Sequence, residues 1–122
     1  MLDADNFKHI NDRYGHMEGD SALIRIAETL RRTAPRTAFV GRYGGDEFVV
    51  IGNAATPAQI RSLCQQIHLA LQQANADALV PYQLDVSIGC AIQHPGCVTI
   101  PDFIRAADAE LYKTKREKKQ RS

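Results

Sequence analysis

An α+β domain is the fold class this sequence predicts, and three observations carry it. Apolar residues recur at helical spacing in four stretches. Short β-branched and aromatic runs, "TAFVGRY", "EFVVIG" and "YQLDVSIGCAI", stand among them. Their order along the chain reads (β)ααββαβα.

Each element has its own signal. "MLDADNF" opens apolar and turns polar at once, like the end of a strand entering a loop. "NFKHINDRYG" sets Phe7, Ile10 and Tyr14 on one helical face and stops at Gly15. In "GDSALIRIAETLRRTA", Leu23, Ile26, Ala27 and Leu30 form an amphipathic stripe that ends near Pro35, with Asp20 as a candidate N-cap. The two β-rich runs that follow flank Gly44 and Gly45, so they predict a hairpin whose glycines admit positive φ. Thr56-Pro57 is an N-cap with proline at the first helical position, and Ile60, Leu63, Cys64, Ile67 and Leu71 line the helix to about Asn75. "YQLDVSIGCAI" predicts a strand in which Gly89 marks a bulge or a close approach. A last helix starts between Thr99 and Asp102 and turns Phe103, Ala107 and Leu111 inward.

The bulk properties narrow the class. The chain has 122 residues, 44% hydrophobic and 24% charged, which suits one globular domain. A net charge of +1 provides no global field for nucleic acid. No apolar run approaches the roughly 20 residues of a membrane helix, and no secretory signal precedes "MLDADNFKHIND". Cys64, Cys90 and Cys97 are odd in number and contain no CxxC pair, which argues against a disulfide scaffold or structural zinc and suits the reducing cytoplasm.

Adjacent acids at the hairpin tip, Asp46 and Glu47, repel one another unless a cation lies near them. With Asp3 at the exit of the first strand they would make an oxygen-rich site suited to a hard cation such as Mg²⁺. Mg²⁺ is commonly held by one or two carboxylates and completed by substrate phosphates, which points to a nucleotide. The plainer reading is that Asp3 and Asp5 cap the helix after them. A calcium loop is excluded, because Phe7 stands where a ligand is needed and Lys8 where the loop glycine belongs. Asn11 and an aspartate, Asp12 or Asp20, carry the donors and acceptors that read a guanine, although each also suits a helix end. His16 reads as structural. Lys115 and Lys119, at i and i+4 on the last helix, could clasp a triphosphate or simply favour a helix C-terminus.

Taken together these stretches resemble the GGDEF family of diguanylate cyclase domains. "LDADNFKHINDRYGHMEGDSAL" follows that family's opening pattern, Gly44-Gly45-Asp46-Glu47-Phe48 is its signature, and "VSIGCAI" and "AADAELYKTK" match its later strand and helix. The resemblance implies a palm-like (ferredoxin-like), mostly antiparallel central sheet surrounded by helices, as in nucleotide cyclases and polymerases. It implies condensation of two GTP to cyclic di-GMP and pyrophosphate, with Mg²⁺ (or Mn²⁺), in a homodimer of facing domains controlled by an upstream sensory domain.

By position, the resemblance makes Asp3, Asp46 and the Ala4 carbonyl the metal ligands. Asp46 or Glu47 would help deprotonate the attacking hydroxyl. Asn11 and Asp20 would bind guanine, and backbone N–H groups of Asn6, Phe7 and Lys8 the phosphates. Lys115 and Lys119 would hold the terminal phosphates, while Gly44 and Gly45 let the backbone approach the nucleotide.

Three departures stand out. The family's upstream helix and most of its first strand are missing from a single domain over 1–122. Pro35 and Ala38 occupy the two places of the RxxD product-inhibition motif, so feedback through that site is not expected. Lys118-Lys119-Gln120 replaces the usual GRN, keeping a charge at Lys119 without arginine's bidentate fork. The missing segment opens an alternative: a module that binds GTP or regulates without turnover.

Overall fold

The computed structural model describes residues 1–53, 56–78, 80–92 and 98–121. Cys97 lies outside the described residues. The elements run β1 (Leu2–Ala4), α1 (Phe7–Tyr14), α2 (His16–Thr33), β2 (Phe39–Arg42), β3 (Glu47–Ile51), α3 (Pro57–Asp77), β4 (Val86–Ile88) and α4 (Ile100–Arg121). This is the expected α+β order. The four strands form one antiparallel sheet in the order β2-β3-β1-β4, with β1 pairing on both sides.

Strand alternation gives the sheet two unlike faces. Leu2 pairs with Phe48 on one side and Ile88 on the other, and Ala4 pairs with Val86. Those residues join the main core with Ile10 of α1, Ala22, Leu23, Ile26 and Leu30 of α2, and Ile67 and Leu71 of α3. The opposite face packs on α4 through Met1, Ala107 and Leu111, with Val49 and Ala91 against them. There the register lines up Glu47, Asp3 and Ser87 across three strands. One face is apolar and the other carries a polar row.

Backbone chemistry sets the joints. Thr56 and Gln59 form a reciprocal capping box, and Pro57 follows at the first helical position, as the sequence predicts. Asn75, buried on α3, pins the chain ahead of β4: its amide donates to the Leu84 carbonyl (2.8 Å) and accepts from the Leu84 N–H (2.9 Å). Thr99 and Asp102 exchange bonds of 3.2 Å at the start of α4.

Three expectations change. Asp20 is not an N-cap: Gly15, at φ 92, both ends α1 and caps α2, so Asp20 falls inside the second helix. Gly44 and Gly45 do not use positive φ; among the described residues only Asn6 and Gly15 do. The hairpin tip is closed by hydrogen bonds instead. The Glu47 carbonyl accepts from Tyr43 N–H (2.9 Å), and Arg42 donates to the carbonyls of Gly44 and Gly45 at 2.7–3.2 Å. Finally, the strand around Val86 is shorter than "YQLDVSIGCAI" suggests, because a strand extends only as far as its partner. Pairing with the β1 side runs out where Gly89 exchanges backbone bonds of 2.9 Å with Met1.

The close approach foreseen at Gly89 is real. A Cβ there would lie 2.2 Å from the Ala107 carbonyl oxygen and 2.2 Å from the Leu111 nitrogen. Only glycine lets α4 seat directly on the sheet end.

Candidate functional site

The site lies where the polar row meets α4. Asp3, at 6% exposure, is buried in the middle of the sheet and its carboxylate is ion-paired with Lys115 of α4. Its Oδ1 is buried with no hydrogen-bond partner. Ala4 N–H donates to the Asp46 carbonyl at 3.1 Å, which ties the hairpin tip to the end of β1. Burial pushes the Asp3 carboxyl above its usual 3.8; Lys115 pulls the other way, and the Asp46 carboxylate adds to the rise. Thus Asp3 and Asp46, far apart in sequence, meet with a lysine beside them.

Glu47 pairs opposite Asp3 in the register, half-buried, with its Oε1 turned toward Gly44. A Cβ at Gly45 would meet no atom within 4 Å, so packing inside the chain does not require glycine there. Among the described residues no group of three His, Cys, Asp or Glu side chains has metal-holding geometry. The donor set present is the two carboxylates and main-chain oxygens. All are hard oxygen donors, and the orphaned buried Oδ1 of Asp3 calls for a positive partner. These residues fit a hard divalent cation that takes much of its coordination from elsewhere.

Asp5 does not cap α1, since the N-cap is Asn6 in the left-handed region (φ 57) with no side-chain cap bond. Asp5 instead accepts from Ser87 Oγ (2.6 Å) and Lys118 Nζ (2.6 Å). The chain bends at Asn6 so that the first turn of α1, with Phe7 and Lys8, rises beside the acids. The first N–H groups of a helix lack intrahelical partners.

Asn11 and Asp20 form a second corner at the α1–α2 joint. The Asn11 side chain lies on Gly19, where a Cβ would stand 1.8 Å from Asn11 Oδ1, and Asp20 is the next residue. Asp20 also borders a cleft of about 480 Å³ between α2 and the hairpin, with Leu23, Ile24, Val40 and Phe48 in its walls. His16 is exposed at the start of α2.

Sequence reasoning missed Lys118. It reaches Asp5, the Val86 carbonyl (2.8 Å) and Asp85 (3.5 Å), and so fastens α4 to β4 and to the residue after β1. Lys119, the residue chosen from sequence, is exposed on the next position. The signal for Lys118 was its i+3 spacing from Lys115, which puts both on one helical face. Thr114 completes the seat by donating to the Ile88 carbonyl at 3.2 Å. Burial alone would lower the Lys115 pKa, but the Asp3 carboxylate outweighs it and holds the ammonium above its usual value.

A sheet of this order, with paired acids at the hairpin and a basic last helix, defines a cyclase-type palm. The family model described as "Diguanylate cyclase, GGDEF domain" matches residues 1–121, and the chain belongs to that family. Its relatives include the diguanylate cyclase DgcM of Escherichia coli K12, 35% identical over 99% of this chain and 29% of DgcM. The probable diguanylate cyclase DgcC of the same strain is 30% identical over all of this chain and 33% of DgcC. The chain therefore spans about a third of the length of these relatives. Among solved structures, the GGDEF domain with coiled coil of DgcB from Caulobacter crescentus, in complex with c-di-GMP, superposes with a TM-score of 0.85 at 29% identity, covering 95% of this chain and 62% of that one. The active GGEEF domain of a Vibrio cholerae diguanylate cyclase gives 0.80 at 32% identity, covering 95% of this chain and 74% of that one. No helix among the described residues is long and apolar enough to cross a membrane.

Proposed function

We propose that this chain is the catalytic domain of a diguanylate cyclase, acting as one half of a head-to-tail homodimer in the cytoplasm under an upstream sensory domain. Each domain binds one GTP. The 3′-hydroxyl of one nucleotide attacks the α-phosphorus of the other, a P–O bond forms, and the α–β phosphoanhydride bond breaks. Two such steps give cyclic di-GMP and two pyrophosphates.

The observation that carries this reading is the meeting of Asp3 and Asp46 around a buried, partnerless carboxylate oxygen. Asp3, Asp46 and the Ala4 carbonyl would hold Mg²⁺ (or Mn²⁺), which supplies charge neutralisation at the reacting phosphate. The chain's own groups do the rest. Asp46, or Glu47 beside it, accepts the proton of the attacking hydroxyl. The N–H groups at Asn6, Phe7 and Lys8 donate to phosphate oxygens, as helix N-termini do. Lys115 exchanges its Asp3 partner for the terminal phosphates, and Lys119 adds charge one turn on. Asn11 and Asp20 orient the guanine at the edge of the α2–hairpin cleft. Gly44 and Gly45 leave the hairpin tip bare so that the nucleotide lies close to the backbone.

Incubating the chain with GTP and Mg²⁺ tests the proposal directly. Cyclic di-GMP is the expected product, and Asp46→Ala abolishes it. GTP binding without product would instead assign a non-catalytic regulatory module. Unchanged turnover in Asp46→Ala would remove the metal role given to that residue.

A further inference from the structure

Two cysteines that are distant in sequence meet behind the polar face. Cys64 sits on α3, Cys90 lies just past β4, and their Sγ atoms are 3.7 Å apart. Both are free, half-buried thiols. They share an open cleft of about 650 Å³ with Ile60, Ile88, Glu110 and Thr114, so a small solute reaches them from water. Their sulfurs are about 1.7 Å farther apart than a disulfide bond of roughly 2.0 Å, so bond formation requires the two sulfurs to close that gap.

We propose that Cys64 and Cys90 are an oxidisable dithiol, a modification site at which a hydroperoxide-class oxidant forms an intramolecular disulfide. The first attack is assigned to Cys90; the S–H between the two sulfurs can point either way, and attack by Cys64 first would give the same disulfide. The Cys90 thiol is drawn down to about 7, chiefly because Cys64 hydrogen-bonds to it, while burial works the other way. The same contact pushes the Cys64 thiol up. The thiolate is the form that attacks a peroxide oxygen, and the lowered Cys90 thiol supplies it near neutral pH.

The atoms balance. With hydrogen peroxide, the Cys90 thiolate attacks one oxygen and the O–O bond breaks. Cys90 becomes a sulfenic acid, and the departing hydroxide takes up the proton Cys90 had released, leaving as water. The Cys64 sulfur then attacks the sulfenic sulfur. The S–S bond forms, and the hydroxyl leaves with the Cys64 proton as a second water. The two sulfurs lose two electrons and the peroxide gains them. A thiol reductant reverses the bond, as for regulatory disulfides in reducing compartments.

The bond would tie α3 to the residue after Gly89, and Gly89 touches the backbone of α4. The covalent change therefore sits one residue from the seat of the helix that carries Lys115 and Lys118.

The test treats the full chain with stoichiometric hydrogen peroxide, alkylates the remaining thiols with a maleimide, and maps peptides by mass spectrometry. The expected result is a Cys64–Cys90 linked peptide, a mass loss of about 2 Da before alkylation, alkylated Cys97, and reversal by dithiothreitol. Cys97→Ser should still lose both thiols. Cys64→Ser should stop at a Cys90 sulfenic acid that a 1,3-dione probe captures. The proposal is overturned if Cys64 and Cys90 stay alkylatable, if the link runs through Cys97, or if it joins two chains. No nucleotide enters this readout, so it stands or falls separately from the cyclase reading.

Discussion

The two faces of the sheet follow opposite rules. On one, Leu2, Phe48 and Val86 pack against α1, α2 and α3, and every contact removes apolar surface from water. On the other, Asp3 is buried beside α4 with one carboxylate oxygen unpartnered. Burying a carboxylate costs free energy, and the ion pair with Lys115 at its other oxygen offsets only part of that cost. The apolar face makes the fold, whereas the polar face holds a costly carboxylate against the last helix. That contrast teaches where to expect stability and where to expect chemistry.

The sharpest way to break the comparison is to cut into the apolar face. Ile26, with 0% exposure, should lose about 2–5 kcal/mol on replacement by alanine. Urea unfolding measures this, and a loss under about 1 kcal/mol would mean that the α2 side is not the structural one. Next comes the seat of α4. Gly89→Ala forces a methyl against the backbone at Ala107 and Leu111, so a loss of about 1–3 kcal/mol is expected on the same unfolding assay. A neutral outcome there would show that α4 rides loosely on the sheet.

The polar face should behave differently. Asp3→Asn should change stability by less than about 1 kcal/mol, because the charged form is already disfavoured by burial and the exposed side of Lys115 rehydrates. Cyclic di-GMP formation by the same variant should vanish. If Asp3→Asn unfolded the protein as readily as Ile26→Ala, the two faces would not be divided as described. The smallest effect lies at alkaline pH. Lys115 is held above its ordinary 10.5 in the fold, since the Asp3 carboxylate outweighs burial. A cation raised in this way stabilises fully below its unfolded value and loses that contribution as pH rises through the folded one. Melting curves of the parent should therefore fall slightly faster above pH 10.5 than those of Asp3→Asn. Parallel curves would remove the ion pair from the stability account.

Much of the apolar face was legible in the sequence. The stripe Leu23, Ile26, Leu30 and the Thr56-Pro57 start depend only on local period and local capping, so they survive without tertiary knowledge. The polar face was legible by motif but not by geometry. Asp3 and Asp46 could be named, yet Lys118 could not, because its partners Asp5 and Asp85 are fixed by how α4 is rotated on the sheet. The length of β4 escaped for a similar reason: strand ends are set by the neighbour across the ladder. Asp20 was misplaced as a cap because Gly15 starts the second helix a turn earlier than the apolar stripe suggests. Cys64 and Cys90 gave no sign of proximity at all, since no spacing rule links a helix to a strand end.

Gly15 has one more consequence. With φ at 92 it is the joint between α1 and α2, and an L side chain rarely adopts that torsion even though no atom crowds the site. The relative aim of Asn11 and Asp20 thus depends on that torsion as well as on the packing of Asn11 against Gly19. A side chain added there would leave the core intact yet swing the two prongs of that corner out of alignment.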